Sequence, residues 1–221
     1  MGEPEPTGIL AGSETEITLG LLEAVHENSA LTQRTVAGQL GIALGLANAY
    51  LKRCVKKGLI KVKQVPPNRY AYYLTPKGFT EKSRLTAEYL SSSFNFFRRA
   101  RRECNEIFER CIGVGWQRVA LCGGSDLGEI AVLCARERNA TLVGFISLDG
   151  DEPNAEFAGL TPIAATEAVN AADAIIVTDL SNPQATFDRL RRIVSVDRIF
   201  APRLLRVARG GETEPTVGGR Q

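Results

Sequence analysis

From Thr75-Pro76 to about Cys111 no further proline interrupts the chain, and Phe79, Leu85, Tyr89, Leu90, Phe94, Phe97, Cys104, Ile107, Phe108 and Cys111 recur at helical spacing. Thr75 suits a cap and Pro76 a first turn, where its missing N–H costs nothing. A helix of this length reaches about 50 Å, more than a small domain can cover alone. A second subunit would cover it; alternatively, two shorter helices break near Ser91-Ser92-Ser93 and pack on the chain's own domains. Either way the 221 residues divide around it. The expected order is a flexible start (1–12), a first domain (13–75), the long helix (76–112), a second domain (113–207) and a disordered tail (208–221).

The first domain reads as mostly helical. Ile17, Leu21, Leu22 and Val25 mark an amphipathic helix over Glu14 to Asn28 behind a Ser13 cap. A short helix follows from Thr32 to Leu40, Gly41 breaks the chain, and a third helix runs from Ala43 to Lys57, stopped by Gly58. Leu59–Val65 and Tyr70–Leu74, rich in Val, Ile and Tyr, flank Pro66-Pro67-Asn68-Arg69 as a hairpin with a basic tip. Helix, helix-turn-helix and hairpin in this order make a winged helix.

Charge says what such a domain would touch. Residues 1–118 hold 17 Lys/Arg against 11 Asp/Glu, whereas residues 119–221 hold 10 against 14. No carboxylate occurs between Asn28 and Thr80, a stretch carrying Arg34, Lys52, Arg53, Lys56, Lys57, Lys61, Lys63, Arg69 and Lys77. A surface without acids suits a polyanion, here double-stranded DNA. The start of a recognition helix faces base edges while basic side chains grip phosphates. On that geometry Leu44, Gly45 and Asn48 face bases, with Asn48 the candidate adenine reader. Lys52 and Arg53 reach the backbone, Asn68 and Arg69 enter or flank a minor groove, and Thr32, Gln33, Arg34, Lys61 and Lys63 complete the candidate DNA-binding set. Arg98, Arg99, Arg101 and Arg102 on the long helix either add phosphate contacts or pair with Glu103, Glu106 and Glu109 of a partner helix.

The second domain alternates strands and helices. Strands are expected at Arg118–Cys122, Thr141–Ile146, Ala174–Thr178 and Arg198–Ala201, with helices at Glu129–Arg138, Thr166–Asn170 and Gln184–Val194, a pattern that implies a parallel sheet. The first strand runs into Gly123-Gly124-Ser125-Asp126-Leu127-Gly128-Glu129, a glycine-rich turn opening a helix, which is built to approach phosphate. Ser125 replaces the middle glycine of the dinucleotide fingerprint, and Ser147 stands where the ribose-binding acid belongs, with Asp149 two residues on. Ser147, Asp149, Thr178 and Asp179 complete the candidate ligand set at strand ends. A turn whose glycines serve the fold alone is the competing reading, favoured by Asp126 and Glu129, which repel phosphate.

Two resemblances follow from these residues. Gln39-Leu40-Gly41-Ile42, Leu51 through Ile60, Asn68-Arg69 and Leu74-Thr75-Pro76-Lys77-Gly78 resemble the MarR-type winged helices, which implies a homodimer on a roughly palindromic site. The family carries polar residues where this chain has Ala43-Leu44-Gly45-Leu46, so shape readout is expected to carry more of the specificity. Arg118 through Ala131, Val143-Gly144-Phe145-Ile146 and Gly159-Leu160-Thr161-Pro162-Ile163 resemble the nucleotide-binding module of bacterial sugar acetyltransferases and exopolysaccharide sugar transferases. That implies a Rossmann-like domain binding a nucleotide sugar or related nucleotide, with a link to exopolysaccharide genes. The domain order is similar to that of the Rex redox repressors, though NAD(H) is the lesser candidate given Ser125 and Ser147.

The overall expectation is an α/β two-domain chain: an N-terminal winged helix, a long linking and dimerisation helix, and a C-terminal Rossmann-like parallel sheet. Five cysteines without a CxxC pair argue against a disulfide framework or a zinc site and for the cytoplasm. Cys104 and Cys111 would either fill a core or meet partner thiols across a dimer. The one histidine, His26, lies far along the chain from the glycine-rich turn, and Asp149 and Asp179 have no nucleophile or metal cluster beside them, so no enzyme is expected. No run is long and apolar enough for a membrane span. A ligand-responsive regulator, a DNA-binding scaffold and, third, a nucleotide-sugar enzyme remain as function classes.

Overall fold

The computed structural model describes residues 14–65, 69–146 and 156–209. Ser13, the N-terminal segment, Asn68, Ser147, Asp149 and the C-terminal tail beyond Arg209 lie outside them. Two compact units divide at Phe94 and Asn95.

The first unit holds α1 (Glu14–Glu27), α2 (Gln33–Gln39), α3 (Leu44–Lys56), β1 (Ile60–Val65) and β2 (Arg69–Leu74). Leu21, Leu22, Val25, Leu31, Val36, Leu51 and Tyr72 form its core. Thr32 caps α2, its hydroxyl accepting from Thr35 N at 3.1 Å. The strands pair antiparallel from Ile60 opposite Leu74 to Val65 opposite Arg69. Tyr72 N donates to Ser29 O at 2.9 Å and ties the hairpin to the turn before α2.

One helix, α4 (Pro76–Gly113), follows and runs without a break through Ser91–Ser93. Its start is fastened to the hairpin base: the Thr75 hydroxyl donates to Gly58 O at 2.7 Å and accepts from Gly78 N at 3.0 Å. Ala100, Cys104, Ile107, Phe108 and Cys111 face the core of the second unit, whereas Tyr89, Leu90 and Phe94 stay exposed.

The second unit continues with β3 (Arg118–Cys122), α5 (Asp126–Glu137), β4 (Thr141–Ile146), α6 (Ala165–Ala171), β5 (Ala174–Val177), α7 (Pro183–Leu190) and β6 (Ile199–Phe200). The sheet is parallel, in the order β4-β3-β5-β6. Alternate side chains leave on opposite faces. Val119, Leu121 and Ile176 pack with α4 and α5; Ala120, Cys122, Ile175 and Val177 pack with α6 and α7. This two-sided burial explains why the strands read as unbroken apolar runs. Helix α5 begins earlier than the apolar spacing suggests because Asp126 and Glu129 favour the positive end of a helix and belong to its first turn. Helix α7 ends at Leu190, short of the expected Val194, where Ile193 and Val194 turn back onto the Leu190 carbonyl.

Among the described residues, one charged group is buried in this core. Glu103 is 3% exposed, accepting from Arg99 Nε at 2.9 Å and from Leu204 N at 2.6 Å. Glu103→Ala is expected to cost about 2–3 kcal/mol, because an amide and a guanidinium lose their charged partner. Urea unfolding followed by emission of Trp116, the single tryptophan, reads that loss in this unit.

All five cysteines are buried, so Cys104 and Cys111 do not face a partner. Burial pushes the Cys111 thiol up to about 11. Cys104 is raised by its hydrogen bond to Cys134 and by burial, and Cys54 by burial. Raised thiols are slow nucleophiles, and Cys134, whose thiol is lowered by its hydrogen bond with Cys104, is shielded by burial like the rest. Iodoacetamide at pH 8 is therefore expected to label the native chain far more slowly than the urea-unfolded chain, a ratio that mass spectrometry measures.

Candidate nucleic-acid interface and glycine-rich turn

On the first unit, α3 presents its first turn and its basic residues outward. Leu44 is 48% exposed and Leu46 42%, and Gly45, Lys52, Arg53 and Lys56 are exposed beside them. Lys56 was absent from the expected contact set although it continues the same helix face. Arg53 forms an ion pair with Glu14; both side chains are exposed, so a phosphate can displace the carboxylate at little cost.

Asn48 is placed differently from a simple base reader. It is only half-buried, but its Oδ1 is shielded from solvent and has no hydrogen-bond partner among the described residues. That orphan oxygen is reason for the amide to turn outward when a donor is offered. Arg34 is exposed, Gln33 half-buried, and Thr32 already holds the α2 cap. Lys61 and Lys63 are both exposed on β1, two residues apart and on one face of the hairpin. Arg69 begins β2.

On the second unit the strand order reverses direction between β3 and β5, and the crevice above their carboxyl ends is where open α/β sheets take ligands. The glycine-rich turn and Thr178-Asp179 meet there, as expected from sequence, but they are engaged with each other. The Ser125 hydroxyl donates to Thr178 O rather than standing free for phosphate. Thr178 is fully buried, its hydroxyl donating to Gly123 O at 2.6 Å and Cys122 O at 3.1 Å. Asp179 accepts from Ser181 N at 2.8 Å and Asn182 N at 3.2 Å, and from the Thr186 hydroxyl at 2.7 Å. It thereby serves the start of α7. Leu127 is fully buried in the core. The side chains of Ser125, Leu127, Thr178 and Asp179 are thus hydrogen-bonded or packed within the unit.

The glycines themselves are explained by close packing. A β-carbon on Gly128 would lie 2.8 Å from Phe157 Cε1, and one on Gly124 3.3 Å from Phe157 Cδ2. Phe157 is held over the turn by its paired backbone hydrogen bonds with Leu160 and by the Phe145 ring at 5.5 Å. Its ring occupies the approach that a diphosphate would need. Nothing in the linear spacing exposed this residue; the Ala158-Gly159 turn that aims it, with φ of +48° and +78°, was the available signal. Asp126 and Glu129 remain exposed on the first turn of α5.

Among the described residues no cluster of side chains could hold a metal ion, and no helix is long and apolar enough to cross a membrane.

Residues 14–61 match the family model for winged helix-turn-helix DNA-binding domains. No curated protein matches the chain. Among solved structures, Sso10a-2, a DNA-binding protein from Sulfolobus solfataricus, is 24% identical with a TM-score of 0.34, over 39% of this chain and 87% of that one. MepR from Staphylococcus aureus, a transcription regulator of the multidrug efflux pump MepA, is 25% identical with a TM-score of 0.33 over 38% of this chain. The chain spans 61% of MepR's length, and 60% in its complex with DNA.

Proposed function

We propose that this chain is a transcription regulator that binds double-stranded DNA as a homodimer and responds to a small nucleotide-type ligand through its C-terminal unit. The observation that carries the DNA reading is the winged helix-turn-helix of residues 14–61, whose α3 turns Lys52, Arg53 and Lys56 to solvent within a stretch without a single carboxylate. Phosphate neutralisation supplies affinity, and the exposed Leu44 and Leu46 offer apolar contact to thymine methyl groups. The dimer reading rests on the length of α4 and the aromatic residues it leaves uncovered.

The ligand reading rests on a four-stranded parallel sheet with a glycine-rich turn at its switch point. The resemblance to sugar acetyltransferase and sugar transferase modules favours a nucleotide sugar, and with it control of exopolysaccharide genes. Phe157 must leave the turn before a diphosphate enters. A ligand that binds only the opened form shifts the population toward it, and DNA affinity changes if the two forms differ in that affinity. The self-filled turn equally favours a second reading, a DNA-binding scaffold whose α/β unit recruits a partner.

Gel shift on the chain's own upstream DNA, with UDP-sugars and with NAD(H), separates the readings. A shift that a UDP-sugar strengthens or weakens is expected, and Phe157→Ala should make the response appear at lower sugar concentration. No shift at low salt defeats both DNA readings. A shift indifferent to every nucleotide, in the native chain and in Phe157→Ala, leaves the scaffold.

A further inference from the structure

Within the first unit, α1, the turn between α2 and α3, and the first half of α4 border a cavity of about 350 Å³, inside the range of about 300–1,000 Å³ that takes a small organic ligand. Ile17, Leu40, Ile42 and Leu90 make its walls apolar, and the exposed Tyr89 brings an aromatic ring to its rim. Two carboxylates line it, Glu16 and Glu23, and among the described residues no lysine or arginine does, although Lys/Arg outnumber Asp/Glu over residues 1–118. Both carboxylates are half-buried, and Glu23 pairs with no cation or hydrogen-bond donor among the described residues. A carboxylate partly withdrawn from water without a partner is costly, and a cation brought beside it recovers that cost. The cavity also touches the segment that leads into α3. Gly20 leaves room for Leu40, whose Cδ2 lies 2.5 Å from where a β-carbon on the glycine would stand. Ile42 immediately precedes Ala43, the cap of α3, and its N–H donates to Ala37 O at 3.0 Å. A molecule in the cavity therefore presses on two residues that set where α3 begins.

We propose that this cavity binds a small lipophilic cation, an aryl- or alkyl-substituted ammonium or phosphonium, and that its occupation shifts α3. The apolar walls take the substituents, the Tyr89 ring attracts the positive centre, and Glu16 and Glu23 select its charge. A neutral apolar molecule would leave Glu23 without a partner, and an anion would be repelled by both carboxylates. A helix of a second copy would have to bring its own cation to the same place. The site lies in a different unit from the glycine-rich turn and stands apart from the DNA reading above; only its action on α3 rests on that reading.

Calorimetric titration of the full chain with tetraphenylphosphonium and with its isosteric anion tetraphenylborate tests the site without DNA. The cation is expected to bind at least about tenfold more tightly than the anion, since the two differ in the sign of their charge and not in shape. Glu16→Gln with Glu23→Gln should remove most of that preference. Thr86→Phe, which fills the cavity from α4, should abolish binding; tyrosine emission checks that the first unit is folded in each variant. No binding of the cation, equal affinity for the two ions, or cation binding indifferent to both variants overturns the proposal. A native chain that ignores the cation but loses self-association on Thr86→Phe would give the cavity to a second copy, which overturns it too. Fluorescence anisotropy on the chain's own upstream DNA reads the action on α3: the cation should change DNA affinity at least about fivefold in the native chain and leave Thr86→Phe unchanged. Cation binding with unaltered DNA affinity overturns that action, whereas a chain that binds the cation and no DNA defeats the DNA reading while the site stands.

Discussion

Alanine at Gly123 is expected to lower the unfolding free energy of the C-terminal unit by about 3–5 kcal/mol, from left-handed backbone strain and overpacking together. The residue has φ of +102°, and its β-carbon would sit 2.6 Å from the backbone nitrogen of Asp179. It cannot retreat, since its N–H donates to Ile146 O at 3.1 Å and its carbonyl accepts from Thr178. Urea titration followed by Trp116 emission measures the loss. The five tyrosines, Tyr50, Tyr70, Tyr72, Tyr73 and Tyr89, all belong to the first unit, so tyrosine signals report separately that the winged helix is intact. Gly124→Ala is the control. Its β-carbon would meet only the Phe157 ring, at 3.3 Å, and a loss under about 1 kcal/mol is expected. Equal losses at the two positions would mean that the close approach of β3 to β5 is not what Gly123 is there for.

Lys52→Ala combined with Lys56→Ala is expected to weaken binding to the chain's own upstream DNA at least about tenfold at 0.1 M salt. It should also reduce the slope of log affinity against log salt by about two. Both ammonium groups are exposed on α3 with no carboxylate nearby in sequence to hold them, so their positive potential is available to phosphate. Fluorescence anisotropy over a salt series measures both quantities. An unchanged slope would remove α3 from the DNA and leave the hairpin lysines as the remaining contact. Leu44→Ala should change the slope by nothing, because a leucine releases no counterion, while altering preference among duplexes that differ in thymine placement.

The long-period features were readable from residues alone. Apolar spacing marked α4, strand and helix alternated through the second unit as the linear pattern suggests, and Gly41 and Gly58 punctuated the helices of the first. What spacing could not carry was which groups satisfy one another. Asp179 sits at a strand end, where a ligand-binding carboxylate would also sit, and its bonds to Ser181 N, Asn182 N and the Thr186 hydroxyl form only once the turn before α7 has folded. Ser125 and Thr178 are far apart in sequence and close their hydrogen bonds only once β3 and β5 are neighbours. The same holds for Phe157, whose ring lies where a β-carbon on Gly128 would have to go. The apolar start of α3, by contrast, was plain in Ala43-Leu44-Gly45-Leu46 and remains exposed in the folded unit.

The strand order of the second unit bears on how the chain is made. β1 finds β2 immediately, through a short hairpin, whereas β3 must wait for β5, and β5 for β6. Contacts this distant in sequence close slowly. On a ribosome the winged helix therefore completes while β3 and β4 still present apolar faces and an unpaired edge, and the sheet is finished only when Ile199 and Phe200 emerge. A chain stopped before Ile199 keeps a DNA-binding head joined to an open β5 edge, which is a template for aggregation.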